Sequence, residues 1–413
     1  MTIDSGWVKI LKAGVPNAFT RGAPFRPSVV FIDGQIKLMA PQSIRTWDAF
    51  FERQFLNTVE TQFDTGASVV VLGFDNYMHV PVAKAPTQRK RNTHVPVVSF
   101  DDEDELPRLP PECMAGAMRN RSFKTRVIAF VVRRLRQHFK HDQHRTVVID
   151  YQQEPDVLGR QIALPSVFAT DAHRRGECDV KAFAWAELGS LLIVSTDGDF
   201  VPLSLLQLDK QPQHPIALLR MATNMGTGVK RSSVGTVRRT YEYVNMHSVQ
   251  RYLAGEMPDI QHASSLFAVW CMLTGCDFAE RLPGLGPTKV WQRRHELQHC
   301  ATTEAGLLHA LCMLYLGLFK NKLGGAVLNE QVRRLSDETA SELFACIHQS
   351  VQRGLSFAQR TKQRFWTAAR ARVHVRNVLW TREYWSTQHD YPDPVQDKYG
   401  YCRKNTVVSH ASE

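Results

Sequence analysis

Leu191-Leu192-Ile193-Val194-Ser195-Thr196-Asp197-Gly198-Asp199 decides how the chain is read. Four aliphatic residues run without alternation, as in a strand covered on both faces, and acids and a glycine stop the run. The pattern recurs outward. Ser28–Ile32 ends at Asp33, and Ser68–Phe74 ends at Asp75. Thr146–Ile149 and Ile216–Leu219 are further apolar runs of this kind. Helical stretches lie between them. Ser43–Phe63 carries Trp47, Phe50, Phe51, Phe55 and Leu56 on one face, and Arg121–Phe139 carries Val127, Phe130, Val131 and Leu135. Cys178–Leu188 is a third, stopped by Gly189. Strand alternating with helix predicts an α/β fold, a mainly parallel sheet with helices on both faces. From about Pro258 the pattern turns helical with no clear strand, which predicts an all-helical C-terminal part. Trp380–Glu413, rich in aromatics, proline and polar residues, reads as an extended tail. The expected division is a core over 1–257, a helical region over 258–330, and a helical C-terminal region with its tail over 331–413.

Hydrophobic residues make up 43% of the 413 residues and charged residues 22%, which argues against wholesale disorder. Lys and Arg number 51 against 40 Asp and Glu, a net charge of +11 that favours a polyanionic partner. No C-x-x-C pair occurs among the cysteines, so a zinc ribbon or a disulfide scaffold is not expected. Met1–Ile10 lacks the apolar core of a signal peptide. The longest apolar stretch, Ala305–Phe319, is shorter than the roughly 20 residues of a membrane span, and His309 interrupts it. It reads as a buried helix, and the expectation is an intracellular protein without membrane attachment.

The acids fall at informative places. In an open parallel sheet, functional sites lie outside the carboxyl ends of the strands. Asp33, Asp75, Asp197 and Asp199 each follow such a run, and Glu177 and Asp179 open the helix that leads into the Leu191 strand. A lone Asp after a strand is ordinarily a turn residue, and acids in a first helical turn suit the helix dipole. The coincidence is what signals a site, because acids gathered on one rim repel unless cations sit among them. All-oxygen ligands suit magnesium or manganese, and two such ions suit phosphodiester hydrolysis. Asp150 also ends an apolar run and reads as a turn acid. Further on, Leu273-Thr-Gly-Cys-Asp277-Phe leads to Pro283-Gly284-Leu-Gly286-Pro-Thr-Lys289, glycines ahead of a helix that would let backbone N–H groups approach a phosphate. The alternative there is an ordinary helix–helix turn.

Residues 92–112 hold four prolines and the acidic cluster Asp101 to Glu105, and read as a surface insert. Lys84, Arg89, Lys90 and Arg91 precede it. After it comes a basic run from Arg119 to Arg145 that includes Arg133 and Arg134, read equally as a solvated helix face or as a contact to nucleic acid.

Taken in order, these motifs resemble the flap endonuclease / XPG family of structure-specific 5′ nucleases, over roughly residues 6 to 295. Val30-Phe-Ile-Asp33-Gly resembles the first catalytic aspartate, and Val71-Leu-Gly-Phe-Asp75 the family's FDG aspartate. Gly176-Glu177-Cys-Asp179 resembles the GEAEA pair, and Ser195-Thr-Asp197-Gly-Asp199 the EDxD pair. Thr274-Gly-Cys-Asp277-Phe with Leu282-Pro-Gly-Leu-Gly-Pro resembles the entry to a helix–two-turn–helix element. The resemblance implies a PIN-like nuclease core with an arch-like insert at about 84–145. It implies metal ligation by Asp33, Asp75, Glu177, Asp179, Asp197, Asp199 and Asp277 around two Mg2+ or Mn2+ ions. Lys84 and Arg91 would contact the scissile phosphate, with Arg89 and Lys90 as rivals for the second role. Gly284, Gly286 and Lys289 would bind duplex backbone, with K+ held at the two-turn element. The chain departs from the family in several places. Its start, Met1-Thr-Ile-Asp-Ser-Gly6, is one residue longer, Asp179 stands where the family has Glu, and no sliding-clamp box is evident in the tail. Such divergence fits a large DNA virus or a remote cellular lineage.

The expected function is therefore a structure-specific DNA nuclease of replication, repair or recombination, with 5′-flap endonuclease and 5′-exonuclease activity. It would act as a monomer on branched or flap duplex DNA, in the nucleus or at a viral replication site. The alternatives are a nuclease of this fold acting on junctions, bubbles or RNA, and a catalytically silent nucleic-acid-binding relative.

Overall fold

Strands without alternation must bury both faces. Val29 and Phe31 pack into one hydrophobic cluster while Val30 and Ile32 pack into another, and Val69 and Val71 part from Val70 and Leu72 in the same way. The computed structural model describes residues 5–38, 44–75, 106–107, 110–111, 114–151, 154–168, 177–221, 241–276, 279, 285–300, 302–319, 368–386, 401–404 and 407–410.

The strands β1 (Phe19–Thr20), β2 (Val29–Asp33), β3 (Val69–Gly73), β4 (Thr146–Asp150), β5 (Asp156–Gly159), β6 (Leu191–Val194), β7 (Ile216–Met221) and β8 (Tyr241–Asn245) form one sheet. Its order is β1-β8-β7-β6-β2-β3-β4-β5. The central strands β7, β6, β2, β3 and β4 are parallel, and β5, β8 and β1 add antiparallel edges. The chain steps outward from β2 through β3 to β4, then returns beside β2 as β6 and steps the other way to β7. Strand order thus reverses between β2 and β6. The crevice beyond their carboxyl ends is a topological switch point, where open α/β sheets bind ligands. The mainly parallel α/β sheet expected from the sequence is present.

Helices cover both faces. On the N-terminal side they are α1 (Ser5–Gly14), α2 (Gly34–Leu38), α3 (Trp47–Phe51), α4 (Asn57–Asp64), α5 (Met114–Ala117) and α6 (Arg121–Phe139). Then come α7 (Cys178–Lys181), α8 (Phe200–Lys210), α9 (Met246–Glu256), α10 (Ala263–Leu273), α11 (Pro287–Gln292), α12 (Arg294–Leu297), α13 (Glu304–Phe319) and α14 (Ala368–Ser386). A π turn at Glu52–Leu56 joins α3 to α4, and 3-10 turns over Ala182–Leu188 extend α7. The Thr46 side chain accepts from Ala49 N and starts α3, later than the expected Ser43. Phe50, Phe55, Phe123, Val127 and Leu135 from α3, its π turn and α6 cover one face. The other face is covered by Trp7, Leu203, Phe267, Trp270, Leu311 and Trp380, drawn from both ends of the chain.

Two expectations need correction. The stretch from Trp380 does not begin as an extended tail, because α14 continues to Ser386 with Trp380 and Trp385 fully buried. Trp380 and Tyr384 lie one helical turn apart and stack with ring centroids 4.9 Å apart, so this aromatic composition marks a core helix face. The C-terminal part also contains strands, since β9 (Tyr401–Lys404) and β10 (Val407–His410) pair antiparallel. Runs this short carry too few residues for periodicity to mark them. The described cysteines Cys178, Cys271, Cys276, Cys300 and Cys312 are not joined in disulfides. Among the described residues no helix is long and apolar enough to cross a membrane.

Candidate active site

β2 and β6 end side by side, and that neighbourhood builds the site from its backbone outward. Asp33 is the last residue of β2 and only 5% exposed. Gln35 N donates to its Oδ1 (3.0 Å) and Ser195 Oγ donates to its Oδ2 (3.0 Å). Ser195 follows β6, and its hydroxyl oxygen accepts from Asp197 N (3.0 Å). Asp197 Oδ1 in turn accepts from Asp199 N (3.0 Å), the residue that leads into α8. One hydrogen-bonded chain thus links the acids of two strands.

Asp75 lies two residues beyond β3 and accepts from Cys178 N (2.9 Å) at the start of α7. The helix that Glu177 and Asp179 open is thereby tied to the third strand end. Glu177 and Asp199 are buried, each 2% exposed. Close approach here needs glycine. A Cβ on Gly73 would lie 2.1 Å from Phe31 Cζ and 2.8 Å from Cys178 Sγ, and one on Gly34 would lie 2.4 Å from Phe74 Cε1.

Electrostatics register the gathering. Burial, then the charge of Asp75 and, after a lowering hydrogen bond from Ser195, that of Asp197, push the Asp33 carboxyl up to about 7. The Cys178 thiol is raised by burial and then by the charges of Asp33, Asp75 and Asp179. The Cys271 thiol on α10 is raised by burial and by Asp199. Among the described residues, no three His, Cys, Asp or Glu side chains close tightly enough to grip an ion.

Sequence reasoning missed the lysine beneath the site. Lys181, 6% exposed, donates through Nζ to Phe74 O (2.9 Å) and Asp150 O (3.0 Å), and pairs with Asp150 Oδ1 (3.1 Å). Trp185 Nε1 donates to Asp150 Oδ2 (3.2 Å). Asp150 is therefore not a turn acid. It is the fully buried last residue of β4, and its pair with Lys181 fastens α7 to the ends of β3 and β4. The available signal was a lysine four residues after Glu177, just ahead of the apolar run Ala182–Ala186.

Asp277, Lys84, Arg89, Lys90, Arg91 and Gly284 lie outside the described residues. The turn just before Asp277 is anchored: Trp7 Nε1 donates to Thr274 Oγ1 (2.8 Å), and His374 Nε2 lies 3.0 Å from Leu273 O. Gly286 caps α11 in an extended conformation with open space where a Cβ would stand, and Lys289 is exposed on that helix. Arg133 is exposed on α6. Arg134 pairs with Asp48 and lies over the rings of Phe51 (5.1 Å) and Phe130 (5.8 Å), so its charge is engaged within the fold.

No family model matches the chain, and no curated protein sequence matches it. Among solved structures, it is similar to the catalytic core of Rad2 in complex with DNA substrate. The identity is 13%, the match covers 86% of this chain and 82% of that one, and the TM-score is 0.39.

Proposed function

We propose that this chain is a metal-dependent phosphodiesterase acting on nucleic acid, and within that class a structure-specific DNA nuclease. The observation that carries the reading is the meeting of Asp33, Asp75 and Asp197 at the switch point, where each of the other two raises the Asp33 carboxyl. A binding module would gain nothing from acids facing a polyanion, and the net charge of +11 favours a polyanionic partner.

The donor set suits hard divalent cations. Its ligands are carboxylate oxygens, and the burial and mutual repulsion that raise Asp33 are what a cation would relieve. Asp33, Asp75, Glu177, Asp179, Asp197 and Asp199 would hold Mg2+ or Mn2+, joined by Asp277. Bound there, the ions would supply an activated water and countercharge for the departing oxygen. Ser195 keeps Asp33 oriented by donating to it while accepting from Asp197 N. Cys178 N fixes Asp75. In this reading Lys84 and Arg91 stabilise charge developing on the phosphate. The substrate is branched or flap duplex DNA, cut near a 5′ end.

The test is cleavage of labelled flap, four-way junction and single-stranded DNA, and of RNA, with Mg2+ or Mn2+, beside Asp197→Asn. The wild type should cut a branched substrate and the variant should be slower by about 100-fold or more. Equal rates would remove the metal assignment. Tight binding with no cleavage of any substrate would leave a silent nucleic-acid-binding protein.

A further inference from the structure

β2 passes directly into α2, so the first residues of that helix stand on the same rim as Asp33. Lys37 lies four residues beyond Asp33, one helical turn on, and is half-buried. Several other buried or half-buried cations have bonded partners, although Arg220 on β7 also keeps a buried Nη1 without a hydrogen bond. Lys181 has its strand-end partners, Lys12 pairs with Glu242 (2.5 Å), and Arg145 pairs with Glu60 and Asp142. Lys37 has no hydrogen bond or ion pair among the described residues. What it feels is burial, which lowers its pKa, offset in part by the charge of Asp33. A half-buried ammonium without a bonded counter-ion carries a desolvation cost that an incoming anion would offset.

The placement of α2 is also rigid. Gly34 packs so closely that an added Cβ would meet the Phe74 ring and Gly73 O at 2.4 and 2.7 Å. The helix is locked against the end of β3, beside the acids. A cation fixed there serves an incoming anion, which the acids alone would repel.

We propose that Lys37 contacts a non-bridging oxygen of the phosphodiester bound at the carboxylate rim. The inference rests on the nuclease reading for the identity of the anion as nucleic-acid phosphate. A lysine is suited to the task as a compact point charge on a flexible stem. As the phosphate gains negative charge during displacement, the ammonium is worth more than in the ground state, so its removal lowers the turnover rate as well as binding.

The alternative is a stem that covers core while the amine merely reaches water. Lys37→Met keeps the stem and removes the charge, and Lys37→Arg keeps the charge. Cleavage by Lys37→Met should fall by about 100-fold and that by Lys37→Arg by under about tenfold. Its thermal midpoint should not fall, since no bonded partner is lost. Binding of a labelled branched duplex by Asp197→Asn, with and without Lys37→Met, gives the second readout. The plot of log affinity against log salt should become shallower by about one unit with Lys37→Met. Cleavage within about threefold of wild type and an unchanged salt slope would overturn the proposal. If the wild type binds but never cleaves while the slope still changes, the nuclease reading fails and the phosphate contact stands. If it neither binds nor cleaves, both fail.

Discussion

Asp33 shows how the site sets function against stability. Its folded pKa of about 7 lies above the ordinary 3.8, so the folded protein binds its proton more tightly than the unfolded chain does. This group therefore weighs nothing against folding below about pH 4 and increasingly against it as pH rises to 7. Above that, the cost levels off at about 4 kcal/mol, from the shift of 3.8 to about 7. Asp33→Asn removes the charge and keeps an oxygen to accept from Gln35 N. Without divalent ions, the variant should melt higher than wild type at pH 8, with the gap closing as pH is lowered to 4. Saturating Mn2+ should raise the wild-type midpoint and leave the variant almost unmoved, while cleavage is lost. A variant less stable than wild type at pH 8 would show that Asp33 bears no such repulsion.

At the scale of elements, the short helix α7 is the joint of the site. It carries Asp179 and Glu177 at its start, and its last residue, Lys181, reaches two strand ends. Removing one partner of a buried pair leaves the other charge stranded, at about 3–5 kcal/mol, whereas replacing both costs far less. Lys181→Met and Asp150→Asn should each lower stability on that scale in urea unfolding, and the double variant should recover much of the loss. Strict additivity would mean that the two residues do not act as a pair. The same helix marks how far the sequence could be read. Asp33, Asp75, Asp197 and Asp199 were legible because strand ends announce themselves by the stop of an apolar run. Glu177 and Asp179 were legible because they open a helix. Ser195, Cys178 and the Lys181–Asp150 pair were not, since each acts through a partner far along the chain, 162 residues away for Ser195 and Asp33. A serine or lysine beside an apolar run carries no periodic signal. The sheet itself was legible for the opposite reason: strands buried on both faces show it in every residue. The switch in strand order, which brings β6 beside β2, came only with the structure.

Over the whole molecule, one hydrophobic cluster runs from Trp7 through Phe31 and Ile193 of the sheet to Phe267, Leu311 and Trp385. The helical region that the sequence sets apart after residue 257 therefore shares its core with the sheet. Every residue of α10 from Leu266 to Leu273 is buried. Trp7 packs edge-on against Phe267 at 4.9 Å and donates to Thr274 at 2.8 Å, joining α1 to the end of α10. α8 is buried from Phe200 to Leu208, and α10 is among the helices that cover it. Removing α10 would forfeit the burial of Leu266, Phe267, Val269, Trp270, Met272 and Leu273, at about 2 kcal/mol each or about 12 kcal/mol together. That is comparable with the entire stability of an ordinary domain, about 5–15 kcal/mol. The intact chain should accordingly lose the sheet and the helices 263–273 and 368–386 in one transition, followed by near-UV circular dichroism and far-UV circular dichroism together. A chain cut after residue 257 should give no near-UV signal and no cooperative melt, and should be digested rapidly by protease. A folded 1–257 fragment with a sharp melt of its own would show that the carboxylate rim stands without α10. The anchoring of Thr274 by Trp7 would then be an attachment between domains and not part of a single core.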